Sequence, residues 1–422
     1  MRSTRRSFLR NISTASLAAI AAPAIASSKG QSRDTTISAP WGQPDEKYWE
    51  RVKAKFPQLR NKIMFNAANL CPSPISVHES IEAYRAALSG DVSMQYRTVF
   101  TERRKQSIGL LAKFIGASPS EVGITRNTSE SNCTIINGLD LKDGDEIILW
   151  DQNHPSNKEI WQKRALRTGV VVNMVTVPAN PSNVDELVDA FSKAFTPKTK
   201  ILAFSHISNV SGIALPAKEL CSLARSKGVL SLVDGAQTLG FHEIDVKDMG
   251  CDFYTASTHK WLMGPLENGI LFMRQEHIEK VWPNIIGGGW HDNTNTVDDK
   301  ICFLGQRNDP TTAALPEIVA FHETIGRKNI YERVVALNTL LKDQIRKRLP
   351  NAGFITPLDP SMSGGIVIVS FPGKDPKVIV QKLYDDFGIA SAATGNVRLS
   401  PHIYNTMADV NSVVEALVRV TA

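Results

Sequence analysis

Apolar runs of strand length recur along the middle of this chain, separated by stretches whose apolar residues fall at helical spacing. Glu146 to Trp150, Val170 to Val177, Ile201 to His206 and Val229 to Val233 are predicted strands. Their apolar residues are contiguous rather than alternating, the pattern of a strand buried on both faces. Asn157 to Arg167, Val184 to Phe195 and Ala217 to Lys227 are the helices predicted between them. Strand and helix in alternation imply a mostly parallel sheet covered on both sides, with reactive side chains on loops at the carboxyl ends of the strands. After residue 311 the texture changes to two longer helices, Thr312 to Ile325 and Ile330 to Leu349, then a strand over Gly365 to Phe371 and a helix over Pro376 to Phe387. The expected organisation is α/β, with a large domain over 75–310 and a smaller α/β domain built from 45–74 and 311–422. No internal repeat interrupts it.

The first residues change the picture. Thr4-Arg5-Arg6-Ser7-Phe8-Leu9-Arg10 precedes a modest apolar stretch from Ala15 to Ala26 that ends in Ala24-Ile25-Ala26. A basic region, a short apolar region and a small-residue cleavage site have the order of an export signal. The apolar run is too short for a membrane-spanning helix, so a stable anchor is not expected. The arginine pair resembles a twin-arginine signal. Residues 1–26 are therefore read as a leader handled by the twin-arginine translocation machinery, residues 27–44 as a flexible spacer, and the mature protein as periplasmic. Most of the formal excess of +6 resides in that leader. What remains gives no reason to expect a nucleic-acid partner. Five scattered cysteines with no Cys-x-x-Cys pair argue against a disulfide scaffold, and the histidines are not spaced with them as metal ligands.

The chemistry concentrates in two stretches. Val229-Leu-Ser-Leu-Val-Asp234-Gly235-Ala236-Gln237 places an acid at the end of a buried strand. Asp252-Phe-Tyr-Thr-Ala-Ser257-Thr258-His259-Lys260-Trp261 places a lysine just beyond another. With these motifs, and others in order between about Ile63 and Tyr404, the sequence resembles the class V aminotransferase family of fold type I pyridoxal-phosphate enzymes. That family includes cysteine desulfurases and isopenicillin N epimerase-like proteins.

The resemblance implies a large domain with a mostly parallel seven-stranded sheet, a smaller C-terminal domain, a homodimer, and pyridoxal 5′-phosphate as cofactor. It implies that Lys260 carries the cofactor as a Schiff base and that Asp234 faces the pyridine nitrogen, keeping it protonated so that the ring draws electrons from the substrate. Gln237 would bond the ring hydroxyl, His154 would stack on the ring, and Ser257 and His259 would face the phosphate. Thr128 and Ser129, in Arg126-Asn127-Thr128-Ser129-Glu130-Ser131, open a predicted helix whose amino terminus favours a dianion. Asn209, in His206-Ile-Ser208-Asn209-Val-Ser211-Gly212, would lie near the ring hydroxyl and the substrate carboxylate. Arg398, in Asn396-Val397-Arg398-Leu399-Ser400-Pro401-His402-Ile403-Tyr404-Asn405, would bind that carboxylate with its planar fork. Asn69, in Phe65-Asn66-Ala67-Ala68-Asn69-Leu70-Cys71-Pro72, sits where the family's substrate comes in.

Two departures qualify the resemblance. Many relatives have Gly-Thr-Arg where this chain has Gly305-Gln306-Arg307, so Gln306 would have to replace a threonine that reaches a phosphate across the dimer. Desulfurases carry a nucleophilic cysteine on a loop after the cofactor lysine, whereas only Cys302 follows Lys260 here, in no such motif. The expected function is chemistry at the α-carbon of a small amino acid, or of an amino-acid residue in a secreted peptide, and not desulfuration. Export points to tailoring of a siderophore side chain, as in an exported relative that modifies the pyoverdine glutamate. A periplasmic epimerase, lyase or aminotransferase is the alternative. The intact Lys260, Asp234, Gln237 and Arg398 argue against a binding protein that has kept the fold without catalysis.

Overall fold

The computed structural model describes residues 37–40, 42–57 and 62–422. The expected leader and most of the expected spacer lie outside the described residues.

Seven strands build the main sheet: β1 (Val122–Thr125), β2 (Glu146–Trp150), β3 (Val171–Val175), β4 (Thr199–Ser205), β5 (Leu230–Asp234), β6 (Phe253–Ser257) and β7 (Gly269–Met273). Their order is β1-β7-β6-β5-β4-β2-β3, parallel from β6 through β3, with β7 antiparallel to both of its neighbours. The contiguous apolar runs are explained by cores on both faces. Ile148, Trp150, Leu202, Phe204 and Val233 point into one core, while Ile147, Leu149, Ile201, Ala203 and Leu232 point into the other. Because every parallel strand ends on the same edge, Thr125, Trp150, Ser205, Asp234 and Ser257 open onto one rim.

Helices α1 (Ile75–Gly90) and α2 (Met94–Phe114) precede β1. Then come α3 (Thr128–Gly138), α4 (Pro155–Thr168), α5 (Val184–Ser192) and α6 (Ala217–Ser226) between the strands. The expected helix over Thr312 to Ile325 is broken in two, Asp309–Ala313 and α7 (Leu315–Ile325). Pro316 is the reason: it has no N–H to give and its ring crowds the preceding turn, so it begins a helix rather than continuing one. Helix α8 (Arg327–Arg348) leads to a four-stranded antiparallel sheet containing Val367–Ser370 and Val397–Leu399, covered by α9 (Pro376–Phe387) and α10 (Met407–Thr421).

The two domains share more than the expected boundaries allow. Ile368 of the small sheet and Ile366 just before its strand, α7, and Tyr48, Trp49 and Val52 of a short helix over Glu46–Lys53 all pack into the core of the large sheet. The separate small-domain core gathers Phe65, Leu337, Leu341, Ile345, Val367, Val369, Val397 and Leu399 with α9 and α10. Along α8, Ile330 and Val334 join the large core, while Leu337, Leu341 and Ile345 join the small one. The segment 45–74 is likewise divided, with only the stretch around Phe65 in the small-domain core.

Candidate active site

Asp234, at the end of β5, is 3% exposed, and its carboxylate accepts bonds from the Ala236 amide (3.0 Å) and from Nδ2 of Asn132 (3.0 Å). The chain must turn sharply here over β6. A Cβ at Gly235 would stand 2.1 Å from the Tyr254 ring, so only glycine fits after the acid. Gln237, next in the turn, is an anchor: Nε2 donates to the Ala68 carbonyl (2.9 Å) and Oε1 accepts from the Trp261 indole (2.8 Å). It thereby ties the Asn66–Leu70 turn to the Lys260 loop, with one amide hydrogen left over.

Lys260 projects from the loop after β6. Burial lowers its pKa, the Asp234 charge opposes that shift, and Arg398 adds to it. Lowering favours the neutral, nucleophilic amine. Two buried imidazoles clamp the backbone of this loop. His402 Nε2 meets the Trp261 carbonyl at 2.8 Å and its Nδ1 accepts from the Ile403 amide at 2.7 Å, while His322 Nε2 meets the Leu262 carbonyl at 2.9 Å.

At the amino terminus of α3, Thr128 faces the end of β6: its amide donates to Ser257 Oγ at 2.8 Å and the two hydroxyls lie 2.6 Å apart. Asn127 caps the helix by accepting from the Glu130 amide. His154 caps α4, its Nδ1 held by Ser156. Burial and then the Lys260 charge hold its pKa below the usual histidine range, and burial takes His259 down to about 4.

One cavity of about 270 Å³ is lined by Asn69, Thr128, Ser129, His154, Asn209, Asp234, Gln237, Ser257, His259 and Lys260. Those ten are the expected site residues apart from two. Arg398 stands just behind Asn209, donating to its carbonyl (3.3 Å) and to Asn66 Oδ1 (3.2 Å). Gln306 is not brought to this cavity; it lies in a surface recess, accepting a bond from Arg97. Asn132 and Asn66 were not expected. The first could have been found from helical period, since it follows Thr128 by one turn and shares its face; the second lies beside Arg398 only through the pairing of distant segments.

The residues fit a phosphorylated pyridoxal. A hydroxyl cradle sits at a helix amino terminus, and a carboxylate and a buried amine line the same cavity. Arg398 is 4% exposed and its buried Nε has no partner, which leaves donor capacity for an anion. No group of three or more metal-ligating side chains occurs among the described residues.

Fold and cavity together define a pyridoxal-phosphate enzyme of fold type I. The family model for aminotransferase class V matches residues 64–414. The chain is 29% identical to isopenicillin N epimerase of Amycolatopsis lactamdurans over 380 residues, 83% of this chain and 93% of that one. It is 31% identical to a probable cysteine desulfurase of Xylella fastidiosa over 335 residues, 75% and 78% of the two chains. Among solved structures, apo cysteine desulfurase from Thermococcus onnurineus NA1 superposes with a TM-score of 0.79 at 25% identity, covering 91% of this chain and 99% of that one. A C-DES mutant with glycine covalently linked to its PLP cofactor has the same fold, with a TM-score of 0.79 at 24% identity over 89% and 99%. The chain belongs to the class V aminotransferase family, and its cofactor is pyridoxal 5′-phosphate.

The clamps on the Lys260 loop predict an acid limit. Burial lowers His322 to about 4 and His402 to about 3, and His206, also buried, to about 3. Once unfolded, each takes up its proton near the ordinary value of 6.5. Stability from the three neutral rings is thus complete above pH 6.5 and is lost as pH falls towards about 4 and then about 3. Thermal melts of the holoenzyme should drop steeply over the upper part of that window. A melting temperature flat from pH 7 to 4.5 would contradict it.

Proposed function

We propose that this enzyme moves protons at the α-carbon of an amino acid, presented as a residue of a secreted peptide, and that a siderophore side chain is its leading substrate. The observation that carries the reading is the shared cavity, in which the Lys260 amine, Asp234 and the hydroxyl cradle meet beside the anion-hungry Arg398. When bound, pyridoxal phosphate supplies the imine linkage and electron sink that weaken bonds to the α-carbon.

The chain's own residues do the rest. Arg398 holds a carboxylate, with Asn209 and Asn66 fixing the guanidinium plane. Lys260, whose pKa burial lowers, takes and returns the proton. His154 has its Nδ1 held by Ser156, which orients the ring within the cavity.

The cysteines support proton transfer over sulfur transfer to a protein thiol. None of the five lines the cavity. Cys71, whose amide bonds to the His259 carbonyl, is buried with its thiol pushed up to about 12 and turned to Tyr404. A persulfide carrier needs a reachable thiolate. The epimerase relatives support the same reading.

The arginine-pair leader supports export of the folded enzyme to the periplasm. The position of Gln306, in a recess with Arg97 and Arg307 away from the cavity, supports a homodimer in which it serves the partner's site.

The test is the visible spectrum of the mature protein, before and after free amino acids and an acylated siderophore peptide, with α-deuterium uptake from D2O followed by mass spectrometry. The expected result is a coloured protein whose band shifts with the peptide, accompanied by deuterium at one α-carbon. Release of alanine and sulfide from cysteine would overturn it in favour of desulfuration.

A further inference from the structure

We propose that Asn132, held by Thr255, is a positioning residue that aims the Asp234 carboxylate at the ring nitrogen of the cofactor; this rests on the assignment of Asp234 as that nitrogen's partner. Asn132 is fully buried on α3, one turn beyond Thr128. Its carboxamide bridges two strands. Nδ2 donates to Asp234 Oδ2 on β5 at 3.0 Å, and Oδ1 accepts from the Thr255 hydroxyl on β6 at 2.7 Å. Thr255 is the register partner of Asp234 across the β5–β6 pair, and its own carbonyl accepts from the Gly235 amide at 2.7 Å.

Direction follows from the donor inventory. A carboxylate only accepts, so the NH2 end must be turned towards Asp234, which leaves the amide oxygen to accept from the Thr255 hydroxyl. Without Asn132, the carboxylate would be held only through Oδ1, by the Ala236 amide, and could swing about its last torsion, which is broad for aspartate. With it, each oxygen carries one fixed donor and keeps lone-pair capacity for the cavity.

The helix adds a second constraint. Thr128 at its first turn meets Ser257 in the hydroxyl cradle, and Asn132 one turn later meets Asp234. Two residues four apart on a helix are separated by about 6 Å of rise. One rigid element therefore sets the spacing between the phosphate end and the nitrogen end of the site.

The experiment uses the full chain stripped of cofactor and two probes, pyridoxal 5′-phosphate and its analogue with CH in place of the ring nitrogen. The readout is the ratio of their dissociation constants, which isolates the Asp234 contact from every other contribution to binding. The wild type should prefer the natural cofactor by about tenfold or more, the effect of one charge-assisted hydrogen bond. Asn132→Leu should bring the ratio to within about threefold of unity, while Ser257→Ala weakens both probes and leaves the ratio intact. Thr255→Val, nearly isosteric, should give an intermediate ratio, and it decides the matter where Asn132→Leu does not fold. An unchanged ratio in the variant that folds overturns the proposal. A wild-type ratio of one would instead remove Asp234 as the nitrogen's partner, and the positioning role with it.

Discussion

Lys260→Ala should leave a folded protein that has lost at least about a thousandfold of its activity, the scale expected when the covalent and proton-transferring group of a site is removed. The geometry allows both halves of that outcome. The loop is not held by the lysine side chain: His402 and His322 grip the carbonyls of Trp261 and Leu262, Gln237 grips the Trp261 indole, and Cys71 donates its amide to the His259 carbonyl. Removing a buried amine that is desolvated without a direct ion pair should not lower the melting temperature. Yet no second amine can replace it, since the ten site residues lining the cavity include no other lysine. The check has three parts. Borohydride treatment should fix the cofactor to the Lys260 peptide of the wild type and to nothing in the variant. Deuterium uptake at the α-carbon should fall to background, and the melting temperature should hold. Activity within tenfold of wild type would refute the role given to Lys260.

How much of this was legible without coordinates depends on which interactions set each feature. The strands β2 and β5 and helices α4 and α9 stand within a residue or two of expectation, because their signals are local: contiguous apolar runs, Pro at the first turn of both helices, and glycine just beyond each. Helices α1 and α2 were not anticipated. Their buried residues, such as Val77, Ile81, Phe100 and Leu111, are spread among polar ones, and they are ordered by contact with Asp309–Ala313 and α7, which lie two hundred residues away in sequence. The packing of α7 was out of reach for a similar reason. The helical texture after 311 is real, but which core a helix joins is decided by its neighbours in space, and α7 joins the large one.

The candidate site divides along the same line. Asp234 and Lys260 could be placed because each sits at the end of a strand in a distinctive run of residues. That Gln237 spends its carboxamide on Ala68 and Trp261 could not, since those partners come from the Asn66–Leu70 turn and the lysine loop. Of the missed residues, Asn132 is signalled only by its one-turn spacing from Thr128, and Asn66 by neither type nor spacing. Each acts by orienting a charged group contributed by another segment, Asp234 in one case and Arg398 in the other.

Arg398→Met should make the cofactor-loaded but substrate-free protein more stable while reducing kcat/KM by about a hundredfold or more, with most of the change in KM. The guanidinium is 4% exposed and is pulled down to about 10 by burial. Its acceptors are the Asn209 carbonyl and the Asn66 carboxamide, both neutral and at 3.2–3.3 Å, and Nε has none. A buried cation in that condition costs stability, and an apolar side chain of similar length relieves the cost; gains of about 1 kcal/mol or more are typical when buried charge is replaced this way. The same deficit is what a substrate carboxylate would fill, accepting two parallel bonds from the planar fork. Arg398→Lys keeps a charge but not the fork, so it should fall between, with a smaller rise in KM and little gain in melting temperature. Melting curves without substrate, set against kcat and KM for the peptide or amino acid that shifts the visible band, read both quantities on the same preparations. A lower melting temperature in Arg398→Met would mean that the guanidinium is a structural brace. An unchanged KM would mean that the carboxylate is held elsewhere.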